Sequence, residues 1–294
     1  MLTSTLSTDD PRPSVLTDLA EIVRDLRYSR SLIFQLTLRD IRVRYKQAAM
    51  GIAWALLAPL LLVAAGVVMR VALLHMVGKP VTMLAVAGIV IKGLAWSFVA
   101  GATTFATTAL TNNAPLISKV YFPREALPVS VILAASFDSL IGTSTLALIL
   151  PLLGWTPTWA ILWVPVLVVV LFTLTLAIAL LVSCANLFFR DVKYLVQLLI
   201  TFGVFFTPVF YDPQALGAKW VSVQMLNPVA PILQGLSLTV VNGHNLLSPI
   251  VDAADGAIIW SPYYLYYSMA CAFGGLVISA VIFHRAHFRF AEYV

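Results

Sequence analysis

The chain has 294 residues and a composition that excludes a soluble globular domain. Its residues are 61% hydrophobic and 11% charged, with a mean hydropathy of +0.94, whereas soluble domains have about 45–50% apolar and about 25% charged residues. The net charge of +5 comes from 18 Lys and Arg against 13 Asp and Glu. One soluble core cannot bury this much apolar surface, so the composition predicts an integral membrane protein.

Apolar segments of about 20 residues recur along the chain, and this is the helix length that crosses a bilayer core about 30 Å thick. Six segments qualify when they are bounded by charges or by Pro and Gly clusters. They lie at residues 51–74, 84–111, 126–150, 159–187, 193–211 and 262–283. The sequence therefore predicts an all-α membrane protein with six transmembrane helices per chain.

The orientation of these spans follows from the basic residues, which stay on the cytoplasmic side of the membrane when they lie in short loops. They cluster before span 1, between spans 2 and 3, between spans 4 and 5, and after span 6. These residues are Arg39, Arg42, Arg44, Lys46, Lys119, Arg124, Arg190, Lys193, Arg285 and Arg289. The other connections hold only Lys79 and Lys219. Both termini are therefore predicted to be cytoplasmic.

Three regions are expected along the chain: a polar N-terminal segment at residues 1–30, an amphipathic interfacial helix at 31–48, and a transmembrane domain at 49–294. Two rows of residues at helical spacing predict this helix. The apolar row is Phe34, Leu38, Ile41 and Tyr45, and the largely basic row beside it is Gln35, Arg39, Arg42 and Lys46. Such a helix lies in the headgroup region. It can anchor the chain to anionic lipid, or it can also contact a protein partner.

The segment KVYFPREALP, residues 119–128, is a polar island between two long apolar segments. Tyr121 and Phe122 offer an aromatic anchor, while Pro123 limits how far the segment can flex. The segment also contains the charged residues Lys119, Arg124 and Glu125 and the apolar residue Val120. The residues alone fit either a docking site for a cytoplasmic partner or a tight turn with nothing bound.

Three charges fall inside the predicted spans, where an ionisable group is costly and is usually paired or faces a cavity. Lys92 in span 2 and Asp138 in span 3 lie at similar depths, so we expect them to pair as antiparallel neighbours. The alternative is a lysine that lines a path for an anionic substrate. Arg70, near the outer end of span 1, is expected to extend its charged group toward the headgroups.

No catalytic motif was found. The glycines of GIVIKGL, residues 88–94, have phosphate-loop spacing but lack the following Lys-Ser/Thr and lie within span 2. His284 and His287 share a helix face, but their place after span 6 suits a charged membrane edge better than a metal site. We therefore predict that the chain is not an enzyme, that it holds no metal or cofactor, and that it binds no nucleic acid.

The connection between spans 5 and 6 is the longest, and NPVAPILQGLSLTVVNG within it predicts an apolar helix of about ten residues, too short to span. Re-entrant or interfacial helices fit this pattern. Aromatic residues are frequent in spans 1 and 5 and at the start of span 6. Those we expect to line a path are Trp54, Phe202, Phe205, Phe206, Phe210, Tyr211 and Tyr263.

Several segments, in this order, resemble the membrane subunits of ABC-2 exporters, and most of all the polysaccharide branch that exports O-antigen, capsule or teichoic acid. They are LRDIRVRYKQAAMGIAWALLAPL (38–60), KVYFPREALP (119–128), FFRDV (188–192), TPVFY (207–211), NPVAPI (227–232) and FAEYV (290–294). Residues 1 to about 30 and 242–261 match nothing recognisable.

The resemblance implies a homodimer in the bacterial inner membrane, with a channel at the dimer interface and two separate ATP-binding subunits that carry ATP and Mg. It implies that the loop between spans 2 and 3 is a coupling helix seated in the ATPase. Arg190 and Asp191 would form a second contact, unless they pair only with each other or with lipid. The short helices between spans 5 and 6 would gate the outer mouth.

The implied substrate is a lipid-linked polysaccharide, whose sugar rings stack on aromatic faces. Its pyrophosphate would be attracted to Arg39, Arg42 or Arg44 at the cytoplasmic entrance. An ABC-2 exporter of a drug or small lipid is the alternative. A secondary transporter is disfavoured because the sequence shows no internal repeat and no buried carboxylate relay.

Overall fold

The computed structural model describes residues 15–46, 51, 53–77, 83–120, 122–152, 154–213, 218–251, 258–287 and 290. These residues form eleven α-helices, two 3-10 helices and one antiparallel hairpin. The α-helices are α1 (Val15–Tyr28), α2 (Arg30–Tyr45), α3 (Ala53–Val77), α4 (Met83–Thr107), α5 (Ala114–Lys119), α6 (Ala126–Leu152), α7 (Trp163–Phe188), α8 (Val192–Phe206), α9 (Ala218–Met225), α10 (Val229–Val241) and α11 (Pro262–Ala286). The 3-10 helices are Thr111–Asn113 and Trp159–Leu162, and the strands are β1 (Ile250–Val251) and β2 (Ile258–Trp260).

Four helical segments of the described chain are long and apolar enough to cross a bilayer: Val86–Thr107, Ala126–Leu152, Trp159–Phe188 and Pro262–Ala286. They coincide with predicted spans 2, 3, 4 and 6. Predicted spans 1 and 5 coincide with α3, which has 25 residues, and α8, which has 15. At about 1.5 Å per residue α8 is only about 22 Å long, so the count of six spans stays a prediction.

Helix α8 ends at Phe206, whereas predicted span 5 continues to residue 211. Thr207 adopts an extended conformation with φ −102° and ψ 136°. Pro208 accounts for this, because a proline ring clashes with a helical residue directly before it. The chain therefore turns at this point, and Asp212 is brought back against α3 and α4.

Helix α4 lies at the centre of the molecule and contacts α3, α6, α7, α8 and α10. Helix α10 occupies the position where the sequence indicated a short apolar helix, and its residues from Val229 to Thr239 are buried. Its neighbours hold its ends: the Ser268 hydroxyl donates to the Pro228 carbonyl over 2.9 Å, and Trp155 donates from Nε1 to the Val240 carbonyl. Helix α10 is thus an interior element of this chain.

A second apolar cluster gathers the chain ends around the start of α6. It includes Ile22 of α1, Ile33 of α2, Leu127 of α6 and Phe283 of α11. Phe290 packs edge to face on Phe283 with ring centroids 5.2 Å apart. Helix α1 lies within residues 1–30, which were predicted only as a polar segment. Its residues Leu19, Ile22 and Leu26 lie on one face of the helix and pack against this cluster.

Close packing of α3 against the turn after α8 gives one testable prediction. A Cβ atom at Gly66 would overlap Cδ1 of Phe210, whose ring is buried. Gly66→Ala is therefore expected to lower the free energy of unfolding by about 1–3 kcal/mol, the usual cost of overpacking. Reversible unfolding in mixed micelles measures it.

Gly101→Ala is the matched control, because Gly101 is also helical but a Cβ atom there would meet nothing within 4 Å. This substitution is expected to be neutral or to stabilise the chain by up to about 1 kcal/mol, since alanine favours a helix more than glycine does. Equal effects of the two substitutions would contradict the packing described for Gly66.

Candidate functional site

The loop between α4 and α6, residues 108–125, combines an exposed tip with an anchored base. Helix α5 begins with Pro115 in its first turn and buries Ile117 against the rest of the chain. The chain then becomes extended at Val120, with φ −129° and ψ 133°. Lys119 and Val120 are exposed, and Phe122 and Pro123 are half-buried. Tyr121 lies outside the described residues, so its predicted role as an anchor stays a prediction.

Arg124 and Glu125, at the base of the loop, point toward the chain itself. Arg124 donates from a terminal guanidinium nitrogen to the backbone carbonyl of His287, and its guanidinium carbon lies 5.8 Å from the centroid of the Phe290 ring. Glu125 is buried, and its Oε1 lies 3.1 Å from Nδ1 of His284. Both residues were expected to offer charge to a partner; in this conformation they hold the loop against α11.

The turn between α7 and α8 forms a second exposed surface. Arg190 and Asp191 are exposed, and among the described residues no ion pair joins the two. Asn186 orders this turn, because its Oδ1 accepts a hydrogen bond from the backbone N–H of Lys193 over 3.1 Å. The neighbouring Phe189 and Tyr194 expose most of their side chains. Phe189 was missed as a candidate, although a large aromatic residue in a short polar turn is itself a signal.

Helix α2 packs along α6 through a face different from the predicted apolar row. Ile33 and Leu36 are its buried residues, whereas Phe34 is exposed. Arg39 and Arg42 are exposed, and Arg39 pairs with Asp40 at 2.8 Å. Lys46 is also exposed. The three cations Arg39, Arg42 and Lys46 are therefore exposed on the outer surface of the helix, Arg39 as part of its pair with Asp40.

Arg44 and Tyr45, at the end of α2, bind the carboxylate of Asp138 on α6. Arg44 lies 2.5 Å from Oδ2, and the Tyr45 hydroxyl donates to Oδ1 over 2.6 Å. The guanidinium carbon of Arg44 also lies 4.1 Å from the ring centroid of Phe105. Burial, reinforced by the Asp138 carboxylate, raises the pKa of Tyr45 above its ordinary value. Arg44 is thus a structural cation rather than a free entrance charge.

The expected pair of Lys92 and Asp138 is wrong. Gly142 of α6 packs against Leu94 of α4, because a Cβ atom at Gly142 would lie 2.9 Å from the Leu94 side chain. This contact shows that Gly142 and Leu94 lie at about the same level along the two helices. At about 1.5 Å per residue, Lys92 then lies roughly 9 Å from the level of Asp138 along the helix axes. The depths of Lys92 and Asp138 estimated from the sequence were similar, but such estimates do not include the shift of α4 and α6 along each other.

Lys92 and Arg70 instead converge on Asp212, after α8. The Lys92 ammonium is almost fully buried; it donates to the Tyr211 carbonyl over 2.8 Å and lies 3.4 Å from Oδ1 of Asp212. Arg70 lies 2.5 Å from Oδ2 of the same carboxylate. Arg70 therefore has a carboxylate partner within the chain, and its extension toward the headgroups stays a prediction. This cluster links α3, α4 and the segment that follows α8, and the sequence analysis missed Asp212.

The predicted path aromatics divide into two groups. Phe202, Phe205 and Phe206 are exposed on one face of α8, and Tyr263 is exposed at the start of α11. Phe210 and Tyr211 are buried inside the chain, where the Tyr211 hydroxyl donates to the Phe205 carbonyl over 2.8 Å. The latter two therefore pack the protein rather than line an open surface of this chain. The side chain of Trp54 lies outside the described part.

The apolar helices and buried charge clusters define an integral, multi-pass membrane protein. Residues 31–241 match the family model described as "ABC-2 type transporter". The chain belongs to the ABC-2 transporter membrane family, as the order of its motifs indicated. The matched region begins directly after α1.

Curated relatives agree with this assignment. An O-antigen export system permease protein RfbA of Myxococcus xanthus is 26% identical over 217 residues, which cover 73% of this chain and 82% of the relative. A Klebsiella pneumoniae protein of the same name is 26% identical over 277 residues, covering 91% of this chain and 96% of the relative. A second Klebsiella pneumoniae protein of that name is 25% identical over 274 residues, 91% of this chain and 96% of the relative.

Proposed function

We propose that this chain is the channel-forming subunit of an ATP-driven exporter that moves a lipid-linked polysaccharide out of the cytoplasm. Two copies of the chain would enclose the path, and two separate ATP-binding subunits would bind the cytoplasmic surface. The observation that carries this proposal is the similarity to O-antigen export permeases over 91% of the chain. The membrane would be the bacterial inner membrane, with both termini in the cytoplasm.

The ATPase would bind the tip of the α4–α6 loop together with the turn between α7 and α8. Lys119, Val120, Phe189 and Tyr194 are exposed there and combine apolar area with charge, which suits an interface. Arg124 and Glu125 would serve this contact indirectly, because they fix the base of the loop to α11. A movement of the ATPase would then reach α6 and α11 together.

Val120→Asp combined with Tyr194→Ala is expected to reduce copurification of the neighbouring ATPase and ATP-dependent export by about tenfold or more, since buried interface anchors contribute about 2 kcal/mol or more each. Both side chains are exposed, so the abundance of the chain should not change. Leu152→Ala, an exposed residue at the opposite end of α6, is the control. Unchanged copurification would refute this docking surface.

The substrate path would include the exposed face of α8. Phe202, Phe205 and Phe206 are spaced so that their rings share one face of the helix, and sugar rings stack well on such faces. Arg39 and Arg42 are the exposed cations of α2 that could attract a pyrophosphate, whereas Arg44 is held by Asp138. Deleting the chain should leave undecaprenyl-linked polymer in the cytoplasm. Absence of trapped polymer would favour an exporter of a drug or small lipid.

A further inference from the structure

Two histidines and a glutamate meet where α11 ends beside the start of α6. The candidate ligand atoms of Glu125, His284 and His287 all lie within 4.8 Å of one another. Glu125 is buried, and both histidines are half-buried. Glu125 is far from the two histidines in sequence, so their meeting depends on the packing of α11 against the loop base.

The chemistry of these side chains suits a borderline divalent cation. Imidazole nitrogen and carboxylate oxygen are common Zn²⁺ ligands, with bond lengths of about 2.0–2.2 Å. Two nitrogens and one oxygen around a tetrahedral ion are roughly 3.3–3.6 Å apart at those lengths. His284 Nδ1 and Glu125 Oε1 are already 3.1 Å apart. The widest separation in the cluster would have to close by about 1 Å, which rotation of one imidazole ring provides.

The two imidazole rings are oriented by neighbours in a manner typical of metal ligands. Nδ1 of His287 lies at the backbone carbonyl of His284, and a ring that donates there presents Nε2 as its ligand atom. On the other side of the His284 ring, Nε2 lies 3.6 Å from Oε2 of Glu21 on α1. A carboxylate that accepts a hydrogen bond from a ligating histidine fixes the ring and increases the basicity of the nitrogen that faces the metal. Glu21 would have to move a few tenths of an ångström closer to accept that bond.

The two nearby arginines have partners of their own. Arg285 lies 2.8 Å from the Asp18 carboxylate on α1. The Arg124 guanidinium points to the His287 carbonyl and the Phe290 ring. Glu125 and Glu21 place two carboxylates beside the His284 ring, which favours a cation there.

We propose that Glu125, His284 and His287 form a Zn²⁺ site, with Glu21 orienting His284. The bound ion would crosslink the end of α11 to the base of the α4–α6 loop and would hold α1 in place. Zinc would thus restrain the loop proposed to receive the ATPase. The metal site itself does not depend on that function, because its ligands all belong to one chain.

Zinc binding to the purified full-length chain, prepared without a polyhistidine tag, tests the proposal. In a competition titration with a chromophoric zinc indicator, we expect one Zn²⁺ per chain. His287→Ala should weaken this binding by about tenfold or more, in line with the loss of a metal-site residue. His287→Cys should retain tight binding, because a thiolate is a good zinc ligand. His244→Ala, which changes a histidine outside the cluster, should leave the titration unchanged.

The Cys and Ala variants at His287 remove the same imidazole contacts, so a general loss of structure would affect both. Retention by His287→Cys with loss in His287→Ala therefore identifies metal ligation. His284→Gln is the second ligand variant and should weaken zinc binding to a similar degree. The proposal would be overturned if the unaltered chain bound no stoichiometric zinc, or if His287→Ala and the unaltered chain bound it equally.

Discussion

Replacing Asp212 with asparagine is expected to be one of the two most destabilising changes to the charged side chains that the structure describes. The substitution leaves the buried Lys92 ammonium without a carboxylate and removes the partner of Arg70. Breaking a buried ion pair on one side costs about 3–5 kcal/mol. The Asp212 side chain is 39% exposed, so solvent screening reduces the expected loss to about 2–4 kcal/mol.

Reversible unfolding in mixed micelles measures this loss, and Lys92→Met provides the matched comparison. Methionine fills the same space without a charge, and Asp212 keeps Arg70 as its partner, so we expect a cost of about 1 kcal/mol or less. In the Lys92→Met background, Asp212→Asn should cost less than it does alone. Strictly additive effects would show that Lys92 and Asp212 do not interact.

The second large effect is expected at Asp138, which joins α2 to α6. Asp138→Ala leaves the Arg44 guanidinium and the Tyr45 hydroxyl without the carboxylate that accepts both of their hydrogen bonds. Loss of a shared, mostly buried acceptor costs about 2–4 kcal/mol. The free energy of unfolding should fall by this amount, and α2 should become more accessible to proteolysis.

Arg42→Ala serves as the control for Asp138→Ala, because Arg42 is exposed on the same helix and its loss should change the free energy of unfolding by no more than about 0.5 kcal/mol. Asp138→Asn should fall between the two variants, since an amide oxygen still accepts from Tyr45 but no longer carries a charge for Arg44. Comparable proteolysis of α2 in the Ala and unaltered chains would argue against the contact.

The helices long and apolar enough to cross a membrane were the most predictable part of the fold. Their signal is apolar length, which depends only on the thickness of the bilayer and needs no knowledge of neighbours. Predicted spans 2, 3, 4 and 6 therefore appear as helices near their predicted bounds. The end of α8 was misplaced because the apolar run continues through Val209 and Phe210, although Pro208 already signals a break.

The charge pairs could not be predicted, because hydropathy indicates only how deep a residue lies in the membrane. Pairing depends on the position of both side chains in all three dimensions. Lys92 and Asp138 were predicted to lie at similar depths. The register of α4 against α6 separates them, and each pairs with a residue of another element. Asp212 was overlooked because it follows an apolar run instead of interrupting one. The cluster of Glu125, His284 and His287 likewise joins a glutamate to a pair of histidines that no local pattern relates to it.

Helix α1 precedes the region that matches the family, yet it shares that region's second apolar cluster through Ile22. It also places Asp18 on Arg285 and Glu21 near His284, both at the far end of the chain. The start of the family-model match at residue 31 is therefore not a limit of cooperative folding. Helix α1 thus links α2 to α11, and a chain shortened to the region that the family model matches would lose this link.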